Sequence, residues 1–387
     1  MQTTVRAPIA PYPREESQLL TKIASSAPAV ASRRRRWAAY LTGAEPVEAP
    51  LATRFVPLLA AGAGDEERGE EVAWPATLYP NGFRRQVLDH CGIAAEDGSS
   101  TDGGQGRLRA ALRLNSMSLY RTTVQAFGRY AQSVRSGAHL TYEVTRAAYQ
   151  VDPQRALPAF AALTSPDCPS LPIRLNAASR LVAHYARRGS DLDTCGQWVG
   201  VSTTLAAEVG EPSDYATRLA VSRVYRAAAL YAARRRDGAA VTASLHASMT
   251  TSRQAADLAA GTDMQCLELA QNDRLIYEAA LKAFVASGGR LDPFGAGASA
   301  DRLAGLDPWD PYTRLTVGDA RWILGDDEQA LASYGVSASM GSLAGAVAAH
   351  HAAVVCARTG RRAEAEVWLA RAVELDPAAT VAELSGV

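Results

Sequence analysis

Beyond residue 106 the apolar positions of this chain recur every three or four residues. Tyr120, Val124, Phe127, Ala131 and Val134 share one face of a helix, and Ser136-Gly137 is placed to end it. The same period predicts further helices over about 139–150, 155–163, 173–188, 193–209, 213–236, 239–260 and 264–287. Their boundaries carry residues that start or stop helices: Asp152-Pro153, Arg188-Gly189, Gly210-Glu211-Pro212, Asp237-Gly238, Gly261-Thr262-Asp263 and Gly288-Gly289. No run alternates apolar and polar residues as a half-buried strand requires. Long helices joined by short glycine turns predict antiparallel hairpins in an all-α protein.

The first 106 residues read differently. Residues 1–36 are rich in Pro, Ser, Thr and Ala and are expected to form a flexible arm. Residues 37–106 form a small region that mixes an apolar stretch at 55–61, an acidic run at 65–71 and a segment broken by Pro75 and Pro80. It closes in a Gly/Ser/Asp-rich linker over 93–106. Residues 107–387 are then one helical domain.

Composition narrows the chemistry. The 387 residues carry 40 Lys+Arg against 40 Asp+Glu, and Lys occurs only at 22 and 282. Arg in place of Lys, with abundant Ala, fits a GC-rich bacterial coding genome. Neither Lys follows a glycine-rich run, which excludes a P-loop, and Schiff-base chemistry would have to use Lys22 or Lys282. Zero net charge argues against a dedicated nucleic-acid binder, although the four arginines at 33–36 followed by Trp37 could grip an acidic partner. The five cysteines are scattered without a CxxC pair, so neither a disulfide framework nor a structural zinc site is expected. No apolar run approaches 18 residues, and Glu45 and Glu48 interrupt any signal-like core after 33–36. A cytoplasmic location is the expectation.

One internal repeat stands out near the C-terminus. Gly325 opens GDDEQALASYGVSAS and Gly360 opens GRRAEAEVWLARAVELDP, so that Ala330, Tyr334 and Ser337 align with Ala365, Leu369 and Ala372. Gly318 aligns with Ala353, and Leu306-Asp307-Pro308 with Leu375-Asp376-Pro377 two repeats on. Over residues 306–378 the pattern resembles the tetratricopeptide repeat: a helix pair with small residues where the helices approach, a large residue filling the groove, and a closing proline. The period is 35 rather than 34, and the first repeat ends at Met340-Gly341-Ser342 without the proline. The resemblance implies a right-handed α-α superhelix of such hairpins behind a less regular N-terminal region. It further implies a concave groove that binds a protein or peptide segment.

On that alignment the groove residues are Tyr312, Asp319, Trp322, Val347, His350 and Arg358, with Trp322 and Tyr312 as aromatic anchors. Arg218, Arg223 and Arg226 fall within about 140° on one helix and form a candidate basic patch; Arg223 and Arg226 join the partner-binding set. The remaining motifs point to structure more than chemistry. His350 and His351 are neighbours that diverge by about 100° on a helix and do not share a metal ion easily. Asp326-Asp327-Glu328 suits a helix N-terminus. The GxGxxA match at 295–300 has no strand before it, and His90-Cys91 has no evident base beside it. The function expected is a non-catalytic binding scaffold without cofactor or metal, its partner a protein or peptide rather than a membrane. A signal-responsive transcriptional regulator and an enzyme with its chemistry in residues 37–150 are the rival readings.

Overall fold

The computed structural model describes residues 6, 9, 107–108, 111–112, 115, 120–131, 134–188, 191–261, 263–307, 310–340 and 342–376. The arginines at 33–36, the linker at 93–106, the His90-Cys91 pair, Pro308 and Pro377 lie outside them. All regular structure among the described residues is helical, and none of these helices is long and apolar enough to cross a membrane. The chain divides into two compact units, Asn81–Ala279 and the pair of segments Met1–Pro80 and Ala280–Val387.

The first of these contains helices α1 (Tyr120–Phe127), α2 (Val134–Val151), α3 (Pro153–Leu163), α4 (Leu171–Arg188), α5 (Leu192–Ala207), α6 (Tyr215–Arg234) and α7 (Gly238–Asp257), and most of α8 (Asp263–Ala286). Consecutive helices from α1 to α7 pack against each other, and α4 also packs against both α2 and α6. The core follows this order as a series of seams. One seam gathers Tyr142 of α2, Phe160 and Leu163 of α3 and Leu181 of α4; the next gathers Leu175 and Ala178 of α4, Leu205 of α5 and Val221 and Val224 of α6. Each helix therefore buries its apolar face against near neighbours in sequence.

The second unit holds α9 (Ala296–Leu306), α10 (Pro311–Ile323), α11 (Asp327–Met340), α12 (Ser342–Arg358) and α13 (Arg362–Leu375). Again successive helices pack together, and α10 also touches α12. The two turns predicted from Gly325 and Gly360 have matching geometry. Both glycines take positive φ, +82° and +79°. The next amide then reaches back five residues, from Asp326 to the Arg321 carbonyl (3.0 Å) and from Arg361 to the Cys356 carbonyl (2.8 Å). The Leu306-Asp307 and Leu375-Asp376 helix ends also match, each Asp buried and extended with its amide bonded four residues back.

Aspartates set the helix starts. Asp152, Asp191, Asp214, Asp237 and Asp310 each accept a backbone N–H from the first turn of α3, α5, α6, α7 and α10, and Asp326 does so from Gln329 before α11. Capping is thus the role of Asp326, while Asp327 and Glu328 pair with Arg6 and Arg361. Gly295 with φ +82° is only the N-cap of α9, so the GxGxxA match opens a helix with no βαβ unit among the described residues.

One helix boundary differs from the expectation. The helix from Tyr120 stops at Phe127, and Gly128–Tyr130 form a 3₁₀ turn. Gly128 loses more backbone freedom in a helix than any other residue, so the chain breaks there. At Ser136-Gly137 the expected boundary does appear: Gly137 (φ −141°, ψ 34°) is non-helical and kinks α2 between a short first segment and the long helix that follows.

Small residues control how closely the helices approach. A Cβ on Gly318 of α10 would lie 2.4 Å from the ring of Tyr334 of α11, itself fully buried. Ala330, Ala353, Ala365 and Ala372 are likewise buried. Between α6 and α7 the Ser222 hydroxyl donates to the Ser248 carbonyl (2.7 Å) and the Ser248 hydroxyl to the Ser222 carbonyl (2.8 Å). Gly318→Ala is therefore expected to destabilise by about 1–3 kcal/mol through overpacking. Gly200→Ala, in the middle of α5 with open space around it, should stabilise by up to about 1 kcal/mol. Urea midpoints of the two variants check both signs.

Candidate functional site

In the C-terminal unit the predicted groove residues lie on the two packed helices α10 and α12. Asp319 is a junction: its Oδ1 accepts the Tyr334 hydroxyl (2.8 Å) and the Nδ1–H of His351 (2.8 Å), and the Tyr334 and His351 rings meet edge-on at 5.7 Å. The arrangement ties α10, α11 and α12 together. Burial first, then the Asp319 carboxylate, pushes the Tyr334 phenol well above its usual pKa, so it stays a donor. A carboxylate that fixes a histidine tautomer also occurs in catalytic dyads. Here the other ring nitrogen, Nε2 of His351, is buried without a hydrogen-bond partner.

Trp322 is 3% exposed. The Arg6 guanidinium lies 4.5 Å from its ring centre and that of Arg358 5.5 Å. The Arg6 amide also donates to the Ile323 carbonyl (3.2 Å), and its side chain pairs with Asp327. At Arg6 the N-terminal arm is thus docked on α10, over the residue predicted to anchor a partner. Tyr312 and Val347 are partly buried. His350 is 4% exposed, and burial, aided by the neighbouring His351, lowers its pKa to about 4.

In the N-terminal unit the candidate basic patch separates into two parts. Arg218 pairs with Glu211. Arg223 and Arg226 instead reach the two flanking helices. Arg223 Nη1 donates to Asn176 Oδ1 on α4 (3.0 Å), and its Nη2 lies 3.8 Å from Glu268 of α8; Arg226 Nη1 donates to Asn272 Oδ1 on α8 (2.5 Å). The Asn272 amide is oriented by its other end, which donates to Ser222 Oγ (2.8 Å) and Ser252 Oγ (3.2 Å). Tyr215 donates to Glu268 (3.0 Å), and Arg274 of α8 bonds Glu278 at 3.3 Å.

No protein-family model matches the sequence, and no curated protein matches it. Electrostatics is then the guide to this site. Burial, followed by Arg223, Arg187, Arg180 and Arg274, drives the pKa of Arg226 well below the arginine range. Arginine does not give up its proton in proteins, so the repulsion persists as an unfavourable concentration of positive charge. Periodicity could have drawn attention to Arg180 and Arg187, which share one face of α4 with Asn176. Asn272 and Arg274 carried no sequence signal, because an isolated Asn or Arg on a helix is ordinary. No group of three His, Cys, Asp or Glu among the described residues is placed to hold a metal ion.

The low pKa of His350 has a consequence for stability. The folded chain keeps this imidazole neutral down to about pH 4, whereas the unfolded chain protonates near pH 6.5. The unfolded state therefore binds more protons between those values, and stability falls as pH drops through that window. A loss of about 2 kcal/mol is expected between pH 7.5 and pH 5. Denaturant titrations at the two values should show that loss in the wild type and a smaller one in His350→Leu.

Proposed function

We propose that the protein is a non-catalytic binding scaffold of tetratricopeptide-like hairpins, and that its partner, a protein or peptide segment, docks on the face formed by alternate helices. The packing of α4 on α6, across the intervening α5, carries this reading. In a stack of αα-hairpins one helix of each pair lines the inner surface and the other covers the outside. Side-chain bonds from α6 reach both α4 and α8. The C-terminal unit repeats the pattern, with α10 on α12 and the close approach of Gly318 to Tyr334. The small, large and small sequence positions that resemble the tetratricopeptide repeat sit where helices touch. The function is then partner capture in the cytoplasm by a preformed surface, with a contribution from arginine and aromatic side chains.

Photo-cross-linking distinguishes the faces. A p-benzoyl-phenylalanine in place of Ala183, on α4 between Arg180 and Arg187, should yield a protein adduct on irradiation in an extract of the cells that make the protein. The same group in place of Val201, exposed on α5, should yield none. An adduct from position 201 alone, or from neither position, overturns the reading.

A further inference from the structure

We propose that the turn between α10 and α11 is an arginine-reading slot that the chain's own Arg6 fills, and that a partner segment carrying an arginine on proline-flanked, extended backbone takes the same place. The inference deepens the scaffold reading for the C-terminal unit and rests on it. Three groups of the slot accept what an arginine residue offers. The Ile323 carbonyl is among the last four of α10, which have no acceptor role within the helix; it takes the Arg6 N–H (3.2 Å). The Trp322 ring takes the guanidinium, 4.5 Å from its centre. The Asp327 carboxylate, at the first position of α11, pairs with the same guanidinium. The negative end of the α10 dipole adds to this preference for a cation. A lysine suits the slot less well, because its point charge has neither a plane to stack on an indole nor a fork to meet a carboxylate.

The surroundings make Arg6 an exchangeable ligand rather than a structural tether. The other acids of the turn have partners from the unit's own helices and turns: Asp326 faces Arg321 at 3.7 Å and Glu328 faces Arg361 at 2.9 Å. Asp327 pairs instead with a residue about 100 positions before the helical domain. Closing so long a loop costs entropy that one partly exposed ion pair does not return. Nor is Arg6 needed merely to put a cation on the ring, since Arg358 of α12 stands 5.5 Å from its centre. The sequence around Arg6 has the character of a ligand. Pro8 and Pro11 in VRAPIAP favour polyproline II, which repeats every three residues and so sets positions 6 and 9 on one edge. Arg6 and Ile9 are both partly buried, and neither belongs to a helix or strand. Aromatic-lined grooves recognise such preformed segments at low entropic cost, and Trp322 is the aromatic residue at this one.

The probe is a fluorescein-labelled, capped peptide with the sequence of residues 2–13, which holds a single arginine, titrated with the full-length protein and followed by anisotropy. Wild type should bind it weakly, because the apparent affinity falls with the fraction of slots that the arm leaves free. Full-length Arg6→Ala should bind it at least about 10-fold more tightly. In that background Asp327→Asn should weaken binding about 5-fold; Asp326 is the residue that caps α11, so helicity should not change. Glu328→Gln, which removes a neighbouring charge paired elsewhere, should leave binding unchanged. Arg6→Gln within the peptide should weaken it at least about 10-fold. Equal affinity of wild type and Arg6→Ala overturns the proposal, as does equal binding of the Gln peptide or no saturable binding to Arg6→Ala. Wild-type dimers that come apart in Arg6→Ala place the arm in a second copy and overturn its occupation in cis. A cross-linked partner at position 183 together with no peptide binding to Arg6→Ala overturns the arginine slot alone and leaves the docking face in place.

Discussion

The distance between paired helices is the constraint on which the other features depend. A chain with few aromatics and much alanine cannot fill wide gaps between helices, so the helices must come close. Gly318 shows how this works. Without a Cβ, α10 admits the ring of Tyr334 from α11 into contact with its backbone. That insertion carries the phenol to Asp319 one residue further along α10, and Asp319 in turn receives His351 from α12. One missing methyl group thereby organises a buried polar contact among three helices. Buried hydroxyl and imidazole groups have to find partners, so the same contact fixes the relative rotation of those helices more narrowly than apolar packing would.

The N-terminal unit solves the same problem with hydroxyls. Ser222 and Ser248 exchange hydrogen bonds with each other's backbone, which holds α6 and α7 at close range. The Ser222 hydroxyl, with that of Ser252 on α7, then accepts from the amide of Asn272 on α8. An asparagine amide has two ends of opposite sense. Because its NH₂ is committed to serines, its oxygen is left to face Arg226. The position of the half-buried guanidinium thus follows from the packing of its own hairpin, relayed through Asn272 of α8.

The helices were largely legible in the sequence, because period and punctuation both mark them. Asp-Pro, Asp-Gly and Gly turns fall where α3, α7, α11 and α13 begin. What periodicity missed was the break at Gly128, where one glycine outweighs an otherwise continuous apolar face from Tyr120 to Val134. The candidate sites were legible only in part. Arg223 and Arg226 were found because both lie on one face of a single helix. Arg180, Arg187, Arg274 and Asn272 come from other helices, and no local pattern predicts that they converge. Trp322 illustrates the opposite limit: alignment placed it on a groove-facing helix, yet nothing in the sequence near it announces that Arg6, more than 300 residues away, covers its ring.

Zero net charge also takes on a different meaning at this scale. Screening in physiological salt reduces electrostatic influence over about 8 Å, so distant acids on the surface do little to neutralise a cluster of guanidinium groups. The effective charge of a site is set within that radius. At Arg226 the charges of Arg223, Arg187, Arg180 and Arg274 oppose its own, while Glu268 is engaged by Tyr215 and Arg223. A protein can therefore be neutral in bulk, avoid nonspecific attraction to polyanions at long range, and still hold a local concentration of positive charge.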